Sequence, residues 1–107
     1  MNKETLSLLG LCTRARKLVS GASVLDAVRS HKACLVLYAS DASERTKKQI
    51  RDKTTYYGVE AIEVNDSEML SAAIGKSGRM AVAIIESGLA KKIKEKLRVG
   101  DTDGKNE

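Results

Sequence analysis

Ala33-Cys34-Leu35-Val36-Leu37-Tyr38-Ala39 is an uninterrupted apolar run rich in strand-forming residues. A strand with one wet face alternates apolar and polar side chains, whereas a strand covered on both faces need not. The run therefore predicts an inner strand of a sheet with helices above and below it. Met80-Ala81-Val82-Ala83-Ile84-Ile85 has the same character and predicts a second such strand.

The segments around these two runs read as alternating helices and strands. On the N-terminal side, residues from about 3 to 15 place Leu6, Leu9, Cys12 and Arg16 at helical spacing, with Leu8, Leu11 and Ala15 widening the apolar side. Leu18-Val19 predicts a short strand stopped by Ser20-Gly21. A helix follows from about Ser23 to Ser30, with Val24, Leu25 and Val28 inward. Between the two runs, Asp41-Ala42-Ser43-Glu44 has the form of a helix start, with Asp41 as N-cap and Glu44 three residues on. That helix reaches Tyr57, ends at Gly58, and turns Thr46, Ile50, Thr54 and Tyr57 inward. Val59 to Val64 predicts a strand, and Asn65-Asp66-Ser67-Glu68 caps a short helix ending near Ile74-Gly75. Glu86-Ser87-Gly88 leads into a last helix carrying Leu89, Ile93 and Leu97. From Gly100 the chain is polar without periodicity. The expectation is one domain over residues 1–98 and a disordered polar tail over 99–107. The fold class this order implies is α/β, a three-layer α-β-α sandwich with a four- or five-stranded mixed sheet.

Composition narrows the function classes. The chain has 107 residues, 42% hydrophobic and 31% charged, with a net charge of +5. No apolar stretch approaches the ~20 residues that span a bilayer, and no signal-peptide pattern opens the chain. A cytoplasmic protein without a membrane partner is expected. Residues 1–32 hold six basic residues (Lys3, Arg14, Arg16, Lys17, Arg29, Lys32) against Glu4 and Asp26, which gives +4. Residues 33–65 cancel at five of each sign, and residues 66–107 hold eight basic against seven acidic. The excess charge therefore belongs to the first third, where it marks a candidate phosphate-facing patch. Cys12 and Cys34 both lie in apolar runs and read as reduced, buried thiols. With a single His, His31, a metal site lacks ligands, and no cofactor is expected.

Ile74-Gly75-Lys76-Ser77 invites comparison with a phosphate-binding loop, but the glycine needed five residues earlier is Leu70, inside a predicted helix. What remains is a loop bearing Lys76, Ser77 and Arg79 between Gly75 and Gly78. No nucleophile, base and orienting group can be assembled, so an enzyme is not expected. Phe and Trp are absent and the tyrosines sit at 38, 56 and 57, which disfavours binding by base stacking. Backbone-directed binding is favoured instead, because Ser20-Gly21 precedes a helix whose first amides are free.

Leu8-Leu9-Gly10-Leu11 followed by Arg14-Ala15-Arg16-Lys17-Leu18-Val19-Ser20-Gly21 resembles the YlxQ-like bacterial branch of the kink-turn-binding ribosomal protein superfamily (archaeal L-seven-Ae type). Ala39-Ser40-Asp41-Ala42-Ser43, Asp52-Lys53 with Tyr56-Tyr57, Ala73-Ile74-Gly75-Lys76 and Ala90-Lys91-Lys92 continue the likeness, in order, over roughly residues 3–97. The resemblance implies a ribosomal-type RNA-binding protein that recognises kink-turns, sharply bent duplexes built on tandem sheared G·A pairs, and a monomer is expected. It implies an RNA-binding set of Arg14, Arg16, Lys17, Ser20, Gly21, Ala22, Ser23, Arg29, Lys32, Ser43, Lys76, Ser77 and Arg79. Within it, the loop from Lys76 to Arg79 lies against the bend and Ser43 lies near an extruded base.

The chain departs from the family pattern at the start of the second helix, where the family has an acid, and a lysine one turn later. Aligned from Gly21, these positions are Val24 and Ala27; aligned from Ala33, they are Ser23 and Asp26. Either way the two groups that read the G·A pairs are replaced, at a cost on the order of 2 to 6 kcal/mol. The alternative expectation is a degenerate member serving as a protein-interaction module on the ribosome or transcription machinery.

Overall fold

The computed structural model describes residues 2–106, with side chains described for residues 2–97. Nine elements follow in order: α1 (Lys3–Arg14), β1 (Leu18–Ser20), α2 (Ser23–Arg29), β2 (Leu35–Ala39), α3 (Glu44–Tyr57), β3 (Ala61–Val64), α4 (Ser67–Ala73), β4 (Ala81–Ile84) and α5 (Ser87–Asn106). The four strands form one sheet in the order β1-β4-β2-β3. β4 runs antiparallel to both β1 and β2, and β2 runs parallel to β3, so the sheet is mixed.

The two apolar runs take the two inner positions, and every residue of β2 and β4 is buried. Leu35, Leu37 and Ala39 of β2, with Val82 and Ile84 of β4, pack under Leu9, Cys12, Leu70, Ile74, Ala90 and Ile93 from α1, α4 and α5. Val36, Tyr38, Ala81 and Ala83 face the other way, against Val24, Ala27, Val28 and Ile50 from α2 and α3. The period-two alternation of strand side chains is thus present, but both faces are apolar because both are covered. This is the three-layer sandwich with a four-stranded sheet.

The element boundaries differ from the expectations at several places. α3 is capped by Ser43, whose hydroxyl accepts from the Thr46 N–H at 3.1 Å. Asp41 instead accepts from the N–H and the hydroxyl of Ser67, each at 2.7 Å. It ties the turn after β2 to the first residue of α4. β3 starts at Ala61 rather than Val59, because the Val59 N–H closes the end of α3 on the Thr54 carbonyl at 2.8 Å. In α1, Leu11 is exposed and Thr5 is buried in its stead, with its hydroxyl donating to Asn2 at 2.8 Å. Cys12 and Cys34 are free thiols, but only Cys12 is buried; Cys34 is half-buried at the entry to β2. Burial, and secondarily the Glu86 charge, raise the Cys12 thiol above its ordinary value. The helical backbone of α5 continues past Gly100, and the polar tail expected over 99–107 falls on residues whose side chains lie outside the described ones.

Candidate nucleic-acid interface

β1 delivers the chain to Gly21, whose φ of +65° lies in the left-handed region that only glycine enters freely. Its N–H extends the β1–β4 ladder to the Ala81 carbonyl at 3.3 Å, and its own carbonyl accepts from the Val24 N–H at 3.1 Å. The backbone thus reverses within two residues and opens α2 at Ser23. Ala22 occupies the N-cap position and provides no side-chain hydrogen bond to the first amides of α2.

The loop between α4 and β4 comes to rest beside this turn. Gly75 and Gly78, at φ +70° and +66°, fold it back. Ser71, a buried residue of α4, then holds Arg79 by both backbone groups. Its Oγ accepts from the Arg79 N–H at 2.8 Å and donates to the Arg79 carbonyl at 3.2 Å. One guanidinium nitrogen of Arg79 lies 3.8 Å from the point where a Cβ on Gly21 would stand. The Arg79 Nε is buried and has no hydrogen-bond partner. A cleft of about 270 Å³ runs alongside, lined by Gly21, Val24, Thr46, Ile50, Gly78 and Met80 among others.

Strand register divides the candidate residues into two groups. Ser20 stands opposite Val82 and Leu18 opposite Ile84 on β4, while on β2 Tyr38 stands opposite Ala81 and Leu35 opposite Ile84. Ser20, Gly21, Ala22, Ser23, Ser43, Lys76, Ser77 and Arg79 therefore gather at the end of the sheet where β4 begins. Arg16 and Lys17 precede β1, and Lys32 precedes β2, at the opposite end, with Arg29 closing α2 beside them. The three residues of β1, four residue steps or about 13 Å, separate Lys17 from Gly21. The candidate RNA-binding set is thus two clusters, with the charge of the first third apart from the Gly21 turn. Arg14 joins neither: its guanidinium lies back over Gly10, 3.4 Å from where that residue's Cβ would be. Arg29 is ion-paired with Asp26 across one turn of α2. Arg16, Lys17 and Lys32 have no ion pair among the described residues.

The helix ends at this second cluster are unusual. Arg16 and His31 adopt φ of 59° and 62° without being glycine. Lys17 and Lys32, which follow them, return their N–H groups to Cys12 and Ala27 at 2.8 and 2.9 Å, the left-handed closure of a helix C-terminus. Glu86 caps α5 by accepting from the Leu89 and Gly88 amides at 2.8 and 2.9 Å. These bonds, with Lys17 nearby, hold its carboxyl below the usual range. The sequence missed Ser71; its one signal was a polar residue on the buried stripe of α4, beside Leu70. Leu70 is itself buried in that helix, which agrees with rejecting a nucleotide-binding loop at residues 74–77. Among the described residues no group of three metal-ligating side chains is assembled, and no helix is long and apolar enough to cross a membrane.

Known proteins are similar to the chain in sequence or in fold. Two proteins called RNA-binding protein YlxQ are similar to the chain. The one from Enterococcus faecium is 40% identical over 94 residues, covering 87% of this chain and 90% of that protein. The one from Bacillus subtilis is 43% identical over 91 residues, covering 84% and 91%. A solved structure of a protein of unknown function from Bacillus halodurans superposes with a TM-score of 0.84 at 37% identity, over 88% of this chain and 96% of the other. The Giardia lamblia 15.5kD RNA binding protein superposes with a TM-score of 0.75 at 22% identity, over 92% of each chain, which shows the shared fold. Residues 3–94 match the ribosomal protein L7Ae/L30e/S12e/Gadd45 family, and the chain belongs to that family, on its YlxQ-like branch.

Proposed function

We propose that this chain is a non-enzymatic RNA-binding protein that grips a sharply bent duplex, a kink-turn or a related fold, with reduced reading of its G·A pairs. The observation that carries the proposal is Arg79. A cation whose backbone is fixed by a buried hydroxyl, and whose buried Nε lacks a partner, is set beside an uncapped helix start. A guanidinium beside a helix start that lacks a side-chain cap supports phosphate binding there. Because the Arg79 backbone is already ordered, binding costs less conformational entropy than a mobile loop would. The names of the two YlxQ relatives support RNA as the ligand.

Burial favours one of the two alignments of the second helix. Val24 and Ala27 are 1% and 7% exposed and pack into the core between α2 and the sheet, which disfavours them as base-reading positions. Ser23 and Asp26 are exposed, which supports the alignment that sets the family's acid and lysine positions on them. Ser23 offers one hydroxyl where a carboxylate would accept two hydrogen bonds, and Asp26 already holds Arg29. Attraction by phosphate contacts is therefore retained while base-pair discrimination falls.

A gel-shift titration against a standard kink-turn and its G·A-disrupted version tests this. The intact kink-turn should bind more tightly, but by a smaller ratio than a complete pair of base-reading groups, at ~1–3 kcal/mol each, would give. Equal affinity with a steep salt dependence would reduce the function to backbone binding, and no binding to either RNA at low salt would refute it.

A further inference from the structure

The turn after α2 and the end of α3 bring three rings together. His31, held in its left-handed conformation, packs edge-on to Tyr57 with centroids 5.6 Å apart and planes at 76°. Tyr57 in turn meets Tyr56 at 4.9 Å and 79°. Tyr57 is the half-buried middle member, packed against the α2–α3 side of the core. Tyr56 is 81% exposed, about twice the exposure of Leu11 at 44%, the next large apolar side chain. Its ring contributes little burial to the fold, yet it rests edge-on against Tyr57, which is itself backed by His31.

The charges around the rings favour an anionic partner. Asp26 is occupied by Arg29, Asp52 by Lys48 and Glu60 by Lys94. Lys32, next to His31, and Lys53, one helical turn before Tyr56, make no ion pair among the described residues. A propped, open aromatic face beside unspent cations is what a nucleobase and its phosphates require. Composition alone argued against stacking. It could not show that two of the three tyrosines and the sole histidine converge, at the end of α2 remote from Gly21.

We propose that Tyr56, supported by Tyr57 and His31 and flanked by Lys32 and Lys53, stacks an unpaired base of a single-stranded RNA segment. This second contact builds on the proposed duplex binding at the α2 start, since one RNA with a single-stranded arm would engage both. Tyrosine fluorescence reads the site directly, because the chain has no Trp and its third tyrosine, Tyr38, is buried.

The full chain is titrated with a short oligoadenylate, and with a kink-turn RNA with and without a single-stranded arm. Oligoadenylate should quench the wild-type fluorescence. Tyr56→Ala should abolish that quenching and weaken binding of the armed RNA by about tenfold, Tyr56→Phe should restore binding of the armed RNA, and the armless RNA should bind all three proteins equally. Absence of quenching, with armed and armless RNAs bound equally by wild type and Tyr56→Ala, would overturn the inference and leave the duplex proposal intact. Tyr56-dependent quenching without any kink-turn binding would do the reverse. Loss of a protein partner in Tyr56→Ala with all RNA binding unchanged would also overturn it, by assigning the ring to that partner.

Discussion

At the Arg79 backbone, one buried hydroxyl satisfies both the N–H and the carbonyl, while the guanidinium is left with a buried donor that nothing in the protein accepts. Ser71→Ala removes both bonds and strands two backbone groups, so unfolding titrations should show a loss of about 1–3 kcal/mol. RNA affinity should fall with it, as the loop loses its anchor. Arg79→Ala should behave differently, leaving the melting temperature within experimental scatter while lowering RNA affinity by about tenfold. If Arg79→Ala instead destabilised the fold and spared binding, its role would be structural. Arg79 was legible in the sequence as a basic residue in a glycine-flanked loop. Its anchoring was not, because Ser71 is eight residues away and meets it only after α4 forms and the loop turns back. Gly21 was legible for the opposite reason: a Ser-Gly pair that stops a short strand just before a helix is a local turn signal.

Among the elements, the turn after β2 and the start of α4 are joined through Asp41 and Ser67. Hydrogen bonds from the Ser67 hydroxyl and N–H hold the Asp41 carboxyl below the usual carboxylate range. A carboxylate depressed in the folded state contributes stability above its unfolded value, and that contribution is lost as pH falls through the folded one. Thermal melts from neutral to acid pH should therefore show an acid limb that Asp41→Asn flattens, with a lower melting temperature for the variant at neutral pH. An unchanged acid limb would show that the tie does not matter to the fold. Here the sequence placed a helix start correctly within two residues and chose the wrong cap. Asp41 and Ser43 are both good N-cap residues, and local chemistry cannot choose between them. The choice is made by Ser67, which draws Asp41 away and leaves Ser43 to cap α3.

On the scale of the whole molecule, Arg16, Lys17, Arg29 and Lys32 stand at one end of the sheet and Lys76 and Arg79 at the other, with the strands holding the two sets about 13 Å apart. If one RNA touches both ends, each cluster should contribute separately to the salt dependence of binding. Replacing Lys76 and Arg79 by Gln, or Arg16, Lys17 and Lys32 by Gln, should each lower the slope of log K against log salt. The expected change is about 0.9 for every duplex phosphate that the variant no longer neutralises. A slope altered by the first set alone would confine the interface to the α2 start.

The sequence by itself determined the layers, because uninterrupted apolar strands can only be covered on both faces, and that burial is written into Leu35–Ala39 and Ala81–Ile84 without reference to partners. It also determined where the excess charge lies along the chain. Only the tertiary structure decided that this charge lies at the end of the sheet away from Gly21, which residue caps α3, and which α2 positions face outward. It alone brought His31 to Tyr57 and Ser71 to Arg79. Each of these depends on strand register or on which helix packs beside which, and such pairings join residues too distant along the chain for spacing to reveal.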